Sequence, residues 1–510
     1  MRTVRNLAAV MLTTLSVSLA AQQPPQQASA NNRWAEPKCD LKPNNTKVNQ
    51  GMMYLKSSAT GKDPETKKKD LADAQRVLNE ALTTGGQDKN PAAWYYLGRY
   101  YLMTNDAAGV DSAFRKAQAL KPDCEGDITI WRRFVWVPTF NAGIAAWQAN
   151  NLDSAIASFS RANFLLPGEP TSFKYTATLY YNTSHTDSAV IYFRKAADVA
   201  AADPKFAADR RDALYNLGRI QQSMNKLPDA LATYKEYVAL YPQDAEITAA
   251  IGSVYMQMNQ KDSAFAIFRQ LIAKGDSIGY YHLYKVGAEI SQSVPEDPDT
   301  AKAGSDCRTA ARSVRPALTP ARIRVRCDSV SKGMMRDFNK GADEAFSLAA
   351  QALDASLKLN PYNREALIFR ANTALGQHDS LTALAMSRRL VVIDPMNRVA
   401  LKIMAGSQAQ NRNVDSALYY FKLSDSLLVG DVAITQFDST DTGRDVKGMV
   451  TNPREAPNAP YKLVFEFVNL QGQVVATDTV QVAATPPGQA QQFELKPAGA
   501  SIVAWRYRKQ

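Results

Sequence analysis

Residues 91–124 read PAAWYYLGRYYLMTNDAAGVDSAFRKAQALKPDC, and this stretch contains two apolar stripes on either side of a short polar turn. The first stripe has members that fall on one side of a helix: Trp94, Leu97, Gly98 and Tyr101. The second stripe follows the turn at Asn105 and Asp106: Val110, Phe114, Ala117 and Leu120. Such stripes are typical of amphipathic helices, so the stretch predicts two antiparallel helices, the second of which ends at Pro122.

The same arrangement recurs through most of the chain with a period of 34 residues. It resembles the tetratricopeptide repeat pattern W-x2-L-G-x2-Y…A-x3-F…P, with Val110 where the pattern prefers Ala and Phe114 at the aromatic place. Further copies in the same phase occupy residues 136–169, 170–203, 211–244, 245–278, 364–397 and 398–431. Two interrupted pairs bring the expected number of helical hairpins to nine: 45–82, and 279–291 joined to 337–361. The resemblance implies a mainly α fold, an α-solenoid over 44–290 and 337–431 in which each hairpin needs a neighbour to cover its apolar face.

After Leu427 the helical period stops, and the chain predicts a small all-β sandwich over 432–510. Residues 460–469 alternate between apolar and polar side chains, and Gln471-Gly472 provides a turn toward a partner strand at 474–482. The segment resembles the FxLYD domains of exported bacterial proteins at a set of spaced residues: Val446, Gly448, Val450, Asn452, Pro487, Gly488 and Phe493. The motif that names this family is altered here. The resemblance implies an exported location and adds no chemistry.

Residues 1–21 have the three-part pattern of a secretory signal peptide. Arg2 and Arg5 precede an apolar run at 7–19, and cleavage is expected at the small residues that end at Ala21. An uncleaved anchor is the alternative. The Gln/Pro-rich residues that follow, within 22–43, predict a linker. We therefore expect an exported protein of the bacterial periplasm or cell surface, without a transmembrane segment once the signal is removed.

An oxidising compartment favours disulfides between the 4 cysteines of the chain, which allow three pairings. We favour Cys307 with Cys327, which closes a short Pro/Arg-rich loop, and Cys39 with Cys124, which straps the N-terminal segment to the first helices. Four reduced thiols are the alternative.

The chain lacks the common catalytic motifs: it contains no G-x-S-x-G, Walker A, G-x-G-x-x-G or H-E-x-x-H sequence. His185 and His378 fall in predicted turns without a nucleophile nearby in sequence, so we interpret them as solvated turn residues. We expect a protein without catalytic activity, cofactor or metal.

The candidate binding surface is the concave face, which is formed mainly by the first helix of each pair. Positions two, five, nine and twelve of the repeats are expected there, and they are rich in aromatic and basic residues: Tyr95, Arg99, Phe140, Trp147, Lys174, Tyr181, Tyr215, Arg219, Tyr281 and Tyr284. Aromatic residues mixed with arginine suit a groove that binds proteins or extended peptides. The alternative is that several of them pack against neighbouring helices.

The formal net charge of the 510 residues is +11, which invites a prediction of nucleic-acid binding. Residues 301–340, however, contain 10 basic and 3 acidic residues, so +7 of the excess lies in 40 residues that overlap the predicted loop insertion at 291–336. Its arginines define a candidate contact with an anionic envelope glycan or lipid headgroups: Arg308, Arg312, Arg315, Arg322, Arg324 and Arg326. A solvated loop is the alternative. The sequence thus predicts a non-catalytic scaffold and no nucleic-acid partner; the alternative function is glycan or anion capture with surface aromatics such as Trp131, Trp136 and Trp147.

Overall fold

The computed structural model describes residues 34–294, 298–313 and 318–510. The predicted signal peptide, residues 22–33 of the predicted linker and Arg315 lie outside the described residues. The chain divides into two compact units, residues 1–224 and 225–510.

The first unit is a stack of helical hairpins. Its helices are α1 (Thr46–Thr60), α2 (Pro64–Thr83), α3 (Pro91–Thr104), α4 (Ala107–Leu120), α5 (Glu125–Gln148), α6 (Leu152–Leu165), α7 (Pro170–Asn182), α8 (Thr186–Ala201) and α9 (Ala207–Ser223). The repeat residues explain the geometry, because a Cβ atom on Gly98 would lie 2.6 Å from the ring of Phe114. Gly143 has the same relation to Phe159. Glycine therefore allows the two helices of a hairpin to approach closely enough to bury the aromatic ring between them.

The second unit continues the hairpins and ends in a β region. Its helices are α10 (Leu227–Leu240), α11 (Ala245–Gln257), α12 (Lys261–Ala273), α13 (Gly279–Gln292), α14 (Thr300–Arg312), α15 (Pro320–Leu359), α16 (Arg364–Gly376), α17 (Ser380–Ile393), α18 (Arg398–Gln410) and α19 (Val414–Ser424). Within the described residues there are 19 helices; once α14 is set aside as an insertion, eight pairs lie inside one unit, while α9 is the last helix of the first unit and α10 the first helix of the second. The predicted mainly α fold, an α-solenoid of tetratricopeptide-type helical hairpins followed by a β region, is confirmed.

The prediction that residues 291–336 form a loop is wrong. This segment contains α14 and the first part of α15, a helix of 40 residues, and the two helices pack against each other. Thr319 caps α15 through its side chain and Pro320 occupies the first turn, where proline is favourable. The charges and prolines that resembled a loop therefore belong to a helical hairpin rich in Ala and Arg, which are good helix formers. We call residues 298–313 and 318–341 the basic arm.

Both predicted disulfides are present. Cys39 is bonded to Cys124, and Cys307 joins α14 to Cys327 in α15. The chain has no free cysteine.

The β region consists of two three-stranded antiparallel sheets, with strand orders β1-β2-β5 and β4-β3-β6. The strands are β1 (Asp431–Ser439), β2 (Arg444–Thr451), β3 (Tyr461–Val468), β4 (Val474–Val482), β5 (Ala490–Leu495) and β6 (Ala504–Lys509). The sheets pack face to face, since the rings of Phe465 on β3 and Phe493 on β5 lie 5.4 Å apart.

The β region is joined to the preceding hairpins by a buried polar contact. The Tyr507 hydroxyl donates to Asp394 Oδ1 at 2.6 Å, and Arg364 Nε donates to Asp394 Oδ2 at 2.5 Å. The Met396 amide in turn donates to the Tyr507 hydroxyl at 3.1 Å. Apolar side chains from α11 to β6 belong to one hydrophobic core, so the last repeats and the sheets form one folded body.

Candidate functional site

The first helices of successive hairpins lie side by side and form the candidate binding face in each unit. In the first unit α3 contacts α5 and α7 contacts α9; in the second, α11 contacts α13, α13 contacts α16 and α16 contacts α18. Polar bonds cross this face, such as Ser253 Oγ to Glu289 Oε2 at 2.5 Å and Ser291 Oγ to Thr373 Oγ1 at 3.2 Å.

Tyr95 and Arg99 are not accessible in this structure, contrary to the prediction. Tyr95 is 0% exposed and Arg99 is 1% exposed. The Arg99 guanidinium lies between two indole rings, 4.9 Å from the centroid of Trp34 and 3.4 Å from that of Trp131. These two residues therefore belong to the core, because an N-terminal segment that no repeat pattern includes covers them.

That segment, residues 34–44, is neither helix nor strand and lies across α3 and α5. Arg99 Nη1 donates to the Ala35 carbonyl at 3.3 Å. The Lys38 amide donates to Asp127 Oδ1 at 3.2 Å, and the Tyr95 hydroxyl donates to Asp127 Oδ2. With the disulfide from Cys39, these contacts hold a non-helical segment of chain by its backbone, on residues predicted to bind a peptide.

Phe140 and Trp147 lie within an aromatic cluster of the first unit. Phe140 stacks on Trp136 at 4.7 Å and meets Tyr175 edge to face at 5.1 Å, and Trp147 meets Tyr175 at 5.8 Å. Tyr175, which the repeat positions did not single out, is thus the centre of the cluster. Trp131 and Trp136 are buried, so they cannot provide the sugar-stacking surface that the alternative function requires.

Lys174 forms ion pairs with two carboxylates of α9, so its charge is not available to a ligand in the groove. Its Nζ lies 2.7 Å from Asp209 Oδ1 and 3.1 Å from Asp212 Oδ2. Burial alone would lower the pKa of the ammonium, but the hydrogen bonds and charges of Asp209 and Asp212 outweigh it and raise the pKa. Lys174 therefore fixes α7 against α9.

Tyr181, Tyr215 and Arg219 remain at least partly accessible. Arg219 is exposed and donates from Nη1 to the Tyr215 hydroxyl at 3.0 Å, with its guanidinium 5.3 Å from the Tyr215 ring centroid. Tyr181 is half-buried.

Tyr281 and Tyr284 form a patch on α13. Two residues that were not among the predicted repeat positions, Lys285 on α13 and Phe369 on α16, complete it. The tyrosine rings meet edge to face at 6.0 Å, and Lys285 Nζ lies 5.5 Å from one ring centroid and 5.6 Å from the other. Phe369 on α16 packs 6.3 Å from Tyr284. Burial, and secondarily the charge of Glu365, raises the pKa of Tyr284 to about 12, so its hydroxyl is a hydrogen-bond donor throughout the neutral range.

The six described arginines of the basic arm are all exposed, and Arg336 pairs with Asp337. Within the described residues, the other five have no carboxylate at ion-pair distance: Arg308, Arg312, Arg322, Arg324 and Arg326. At the root of the arm an open groove of about 700 Å³ is lined by Lys332, Met335, Arg336 and Lys340 among others.

The two histidines of the predicted turns are exposed. His185 Nδ1 lies 3.0 Å from Thr183 Oγ1, and His378 adopts a left-handed turn conformation with φ 57°. In the described part of the chain no group of three or more His, Cys, Asp or Glu residues is arranged to hold a metal ion. Over the same residues, no helix is both long and apolar enough to cross a bilayer.

Comparison with known proteins supports the repeat assignment. Residues 128–277, which contain most of α5 and all of α6 to α12, match the tetratricopeptide repeat family. The chain is 23% identical over 197 residues to the human cell division cycle protein 16 homolog, a match that covers 38% of this chain and 30% of that protein. The chain thus spans less than a third of the length of this relative.

Solved structures with similar helical stacks have low sequence identity to the chain. The C-terminal part of a tetratricopeptide repeat-containing protein from Cytophaga hutchinsonii is 16% identical, with a TM-score of 0.37 and coverage of 56% of this chain and 95% of that chain. PilF of Pseudomonas aeruginosa is 16% identical, with a TM-score of 0.30 and coverage of 51% and 92%. Yeast Tom70 is 16% identical, with a TM-score of 0.29 and coverage of 78% and 70%.

Proposed function

We propose that this protein is a non-catalytic scaffold that binds partner proteins through extended peptide segments laid across its first helices. The main support for this proposal is the segment 34–44, because the protein binds this segment of its own chain in the same way. Arg99 donates a hydrogen bond to a backbone carbonyl of the segment, and Asp127 accepts one from a backbone amide. Contacts to the backbone give affinity without demanding one peptide sequence, as a scaffold with several partners requires.

A second copy of the same chemistry lies further along the first unit. Tyr215 and Arg219 occupy positions five and nine of the repeat 211–244, as Tyr95 and Arg99 do in 91–124. Arg219 is exposed, whereas Arg99 is covered by Trp34. We infer that Arg219 offers its guanidinium to the carbonyl of an external peptide and its flat face to an aromatic side chain, as Arg99 does internally.

The second unit offers the patch of Tyr281, Tyr284 and Lys285. This patch suits a peptide that carries an apolar or aromatic residue next to a carboxylate. The exposed ring of Tyr281 can pack against the apolar residue, and Lys285 and the Tyr284 hydroxyl, whose pKa is raised, can bind the carboxylate.

We also propose that the protein acts in the bacterial envelope, in the periplasm or at the cell surface, with an FxLYD-like β region. The predicted signal peptide supports this location, and the two disulfides support an oxidising compartment.

Site-specific photo-crosslinking in the source cells tests the peptide-binding face. A photoreactive residue at Tyr281, on a first helix, is compared with one at Ile191, on a second helix; both side chains are 54% exposed. We expect discrete protein adducts from position 281 and only background from position 191. Arg219→Ala should reduce adducts from a probe at 215 without changing the melting temperature. Equal adduct patterns at 191 and 281 would contradict the proposal.

A second candidate function is anion capture by the basic arm, which is favoured by five exposed arginines that have no ion-pair partner among the described residues. The ligand would be an anionic envelope glycan or lipid headgroups. Binding to phosphatidylglycerol vesicles and to an acidic polysaccharide should disappear when the six predicted contact residues are changed to Gln, and it should persist when they are changed to Lys: Arg308, Arg312, Arg315, Arg322, Arg324 and Arg326. Unaltered binding of the Gln variant would exclude the arm as the contact.

A further inference from the structure

The last helix of the repeats, α19, carries an apolar stripe that nothing in the described chain covers. Val414, Leu418 and Phe421 are spaced by four and three residues, so they lie on one side of the helix. Their exposed fractions are 64%, 52% and 57%, respectively. A contiguous apolar face of this kind on a folded protein marks an interaction surface.

The other repeats show what normally happens at this position. Phe421 is the twenty-fourth residue of its repeat, and the corresponding residues elsewhere are at most 4% exposed: Phe114, Phe159, Phe193, Tyr234, Phe268, Leu353 and Ser387. This side chain lies against the first helix of its own hairpin, as Phe268 lies on Gly252. In the second unit, second helices are also covered by the first helix of the next repeat, as α15 is by α16 and α17 by α18. After α19 the chain enters β1 instead of another helix. The face of α19 is therefore a helix-packing surface that lacks its helix.

We propose that the missing helix is α19 of a second copy of this chain, packed antiparallel about a two-fold axis near Leu418. An interface with two-fold symmetry uses the same patch on both copies, so it must be self-complementary. An apolar stripe centred on Leu418 meets this condition, because Val414 of one copy would lie against Phe421 of the other.

Charge complementarity selects the antiparallel arrangement. Asp415 and Lys422 are both exposed, and because they are seven residues apart they lie on the same flank of the stripe. One precedes Leu418 by three residues and the other follows it by four. In the antiparallel pair, Asp415 of each copy would face Lys422 of the other, which gives two equivalent ion pairs. In a parallel pair the two-fold axis runs along the helices, so the charged flanks of the two copies would lie on opposite sides of the interface and neither Asp415 nor Lys422 would face its counterpart. Only the antiparallel pair therefore gains the two ion pairs.

Charge exchange on the full-length mature chain tests this arrangement. Sedimentation velocity over about 1–100 µM should show dimer formation by the native chain. A pair of single helices buries a small interface area, so we expect a dissociation constant of roughly micromolar size. Asp415→Lys and Lys422→Asp should each weaken the dimer by about tenfold or more, and the double exchange D415K/K422D should restore it. Both sites are exposed, so circular dichroism and the melting temperature should stay near native values.

A cysteine at the symmetry axis gives an independent readout. All four native cysteines are in disulfides, so Leu418→Cys introduces the only free thiol. Because this residue meets its own copy at a two-fold axis, L418C should form a covalent dimer on mild oxidation. Phe164→Cys is the matched control: Phe164 is 55% exposed on a helix of the first unit, away from the proposed axis, so F164C should form no covalent dimer under the same oxidation.

Several outcomes would overturn the proposal. A chain that stays monomeric up to 100 µM excludes self-pairing, and if L418C then links to a different protein in the source cells, that protein supplies the covering helix. A dimer that ignores both charge variants, or whose L418C is no more reactive than F164C, forms through another surface. None of these results bears on the first-helix face, which is tested separately by the crosslinks at Tyr281.

Discussion

Arg99 and Arg219 occupy the same position of the repeat, each four residues after a tyrosine, yet one is buried and the other exposed. Repeat spacing places both on the first-helix face, and in that respect the sequence prediction was adequate. The repeat spacing could not predict that Trp34 covers Arg99, because Trp34 lies 65 residues before Arg99 and belongs to no repeat. Accessibility depends on every segment that folds back onto a side chain, and periodicity reports only local orientation.

Trp34→Ala should destabilise the first unit by roughly 3–5 kcal/mol, because it removes a large buried ring and leaves the Arg99 guanidinium without its cover. Thermal and urea unfolding measure the change. Glu36→Gln is the control in the same segment: its carboxylate pairs with Lys56 in an exposed bridge, and the effect should stay below about 1 kcal/mol. A native melting curve for W34A would mean that the segment does not hold the Arg99 site together.

Glu289 should make stability depend on pH. Burial raises the pKa of this carboxyl in the folded state, despite the hydrogen bond from Ser253. A raised pKa in the folded state means that the group contributes most below its unfolded pKa and that this contribution is lost as pH rises through the folded value. Glu289→Gln should therefore raise the melting temperature at pH 7 and leave it nearly unchanged near pH 3. A variant that shifts the melting temperature equally at both pH values would contradict this.

At the scale of elements, the basic arm shows why a charged insertion was mistaken for a loop. Composition that is rich in Arg and Asp with prolines at 316 and 320 resembles solvated chain, but from Pro320 onward the chain forms the long helix α15. Arg308 and Arg312 are four residues apart, as are Arg322 and Arg326, so like charges adjoin on each helix and cost a few tenths of a kcal/mol per pair. The Cys307–Cys327 disulfide holds the two helices together.

Replacing both Cys307 and Cys327 with Ser should loosen the arm alone. The bond closes a sequence separation of 20 residues, and its loss should cost on the order of 3 kcal/mol locally. Hydrogen exchange should accelerate over 300–312 and 320–335. Residues 345–357 should keep native protection, because Ala345, Leu348 and Leu353 are buried in the core of the second unit. Uniformly faster exchange across α15 would show that the arm supports the repeats.

At the scale of the folded units, the second unit joins helices and sheets in a single core. Asp394 lies at the end of α17 and accepts hydrogen bonds from Arg364, which lies on a helix, and from Tyr507, which lies in a sheet. A linker-connected module, which the change in periodicity after Leu427 would equally allow, could move independently of the repeats. The shared polar contact and core predict that the last hairpins and the sheets unfold together.

Tyr507→Phe should lower the stability of the second unit by about 1–3 kcal/mol, since it removes the donor to the buried Asp394 Oδ1 and the acceptor of the Met396 amide, while Asp394 Oδ2 keeps its bond from Arg364. Circular dichroism of helix and sheet should show one coincident transition at the lower temperature. Tyr461→Phe provides the control, because the Tyr461 hydroxyl is buried without a hydrogen-bond partner and its loss should be neutral. Separate helix and sheet transitions in the native chain would contradict the shared core.

The sequence by itself determined the repeating hairpins and the start of the β region, and it favoured the two disulfide pairings that the structure contains. The hairpins and the β region depend on short-range information: helical period, strand alternation and turn residues. Only the tertiary structure decided that Tyr95 and Arg99 are covered, that Lys174 is paired with Asp209 and Asp212, and that Trp131 and Trp136 are core residues. It also decided that Phe421 is exposed, although its repeat position is buried elsewhere. The physical reason is common to all of these cases: a residue's period sets the direction of its side chain, whereas its partners come from distant segments that pack against it or, beyond α19, from none within the described chain.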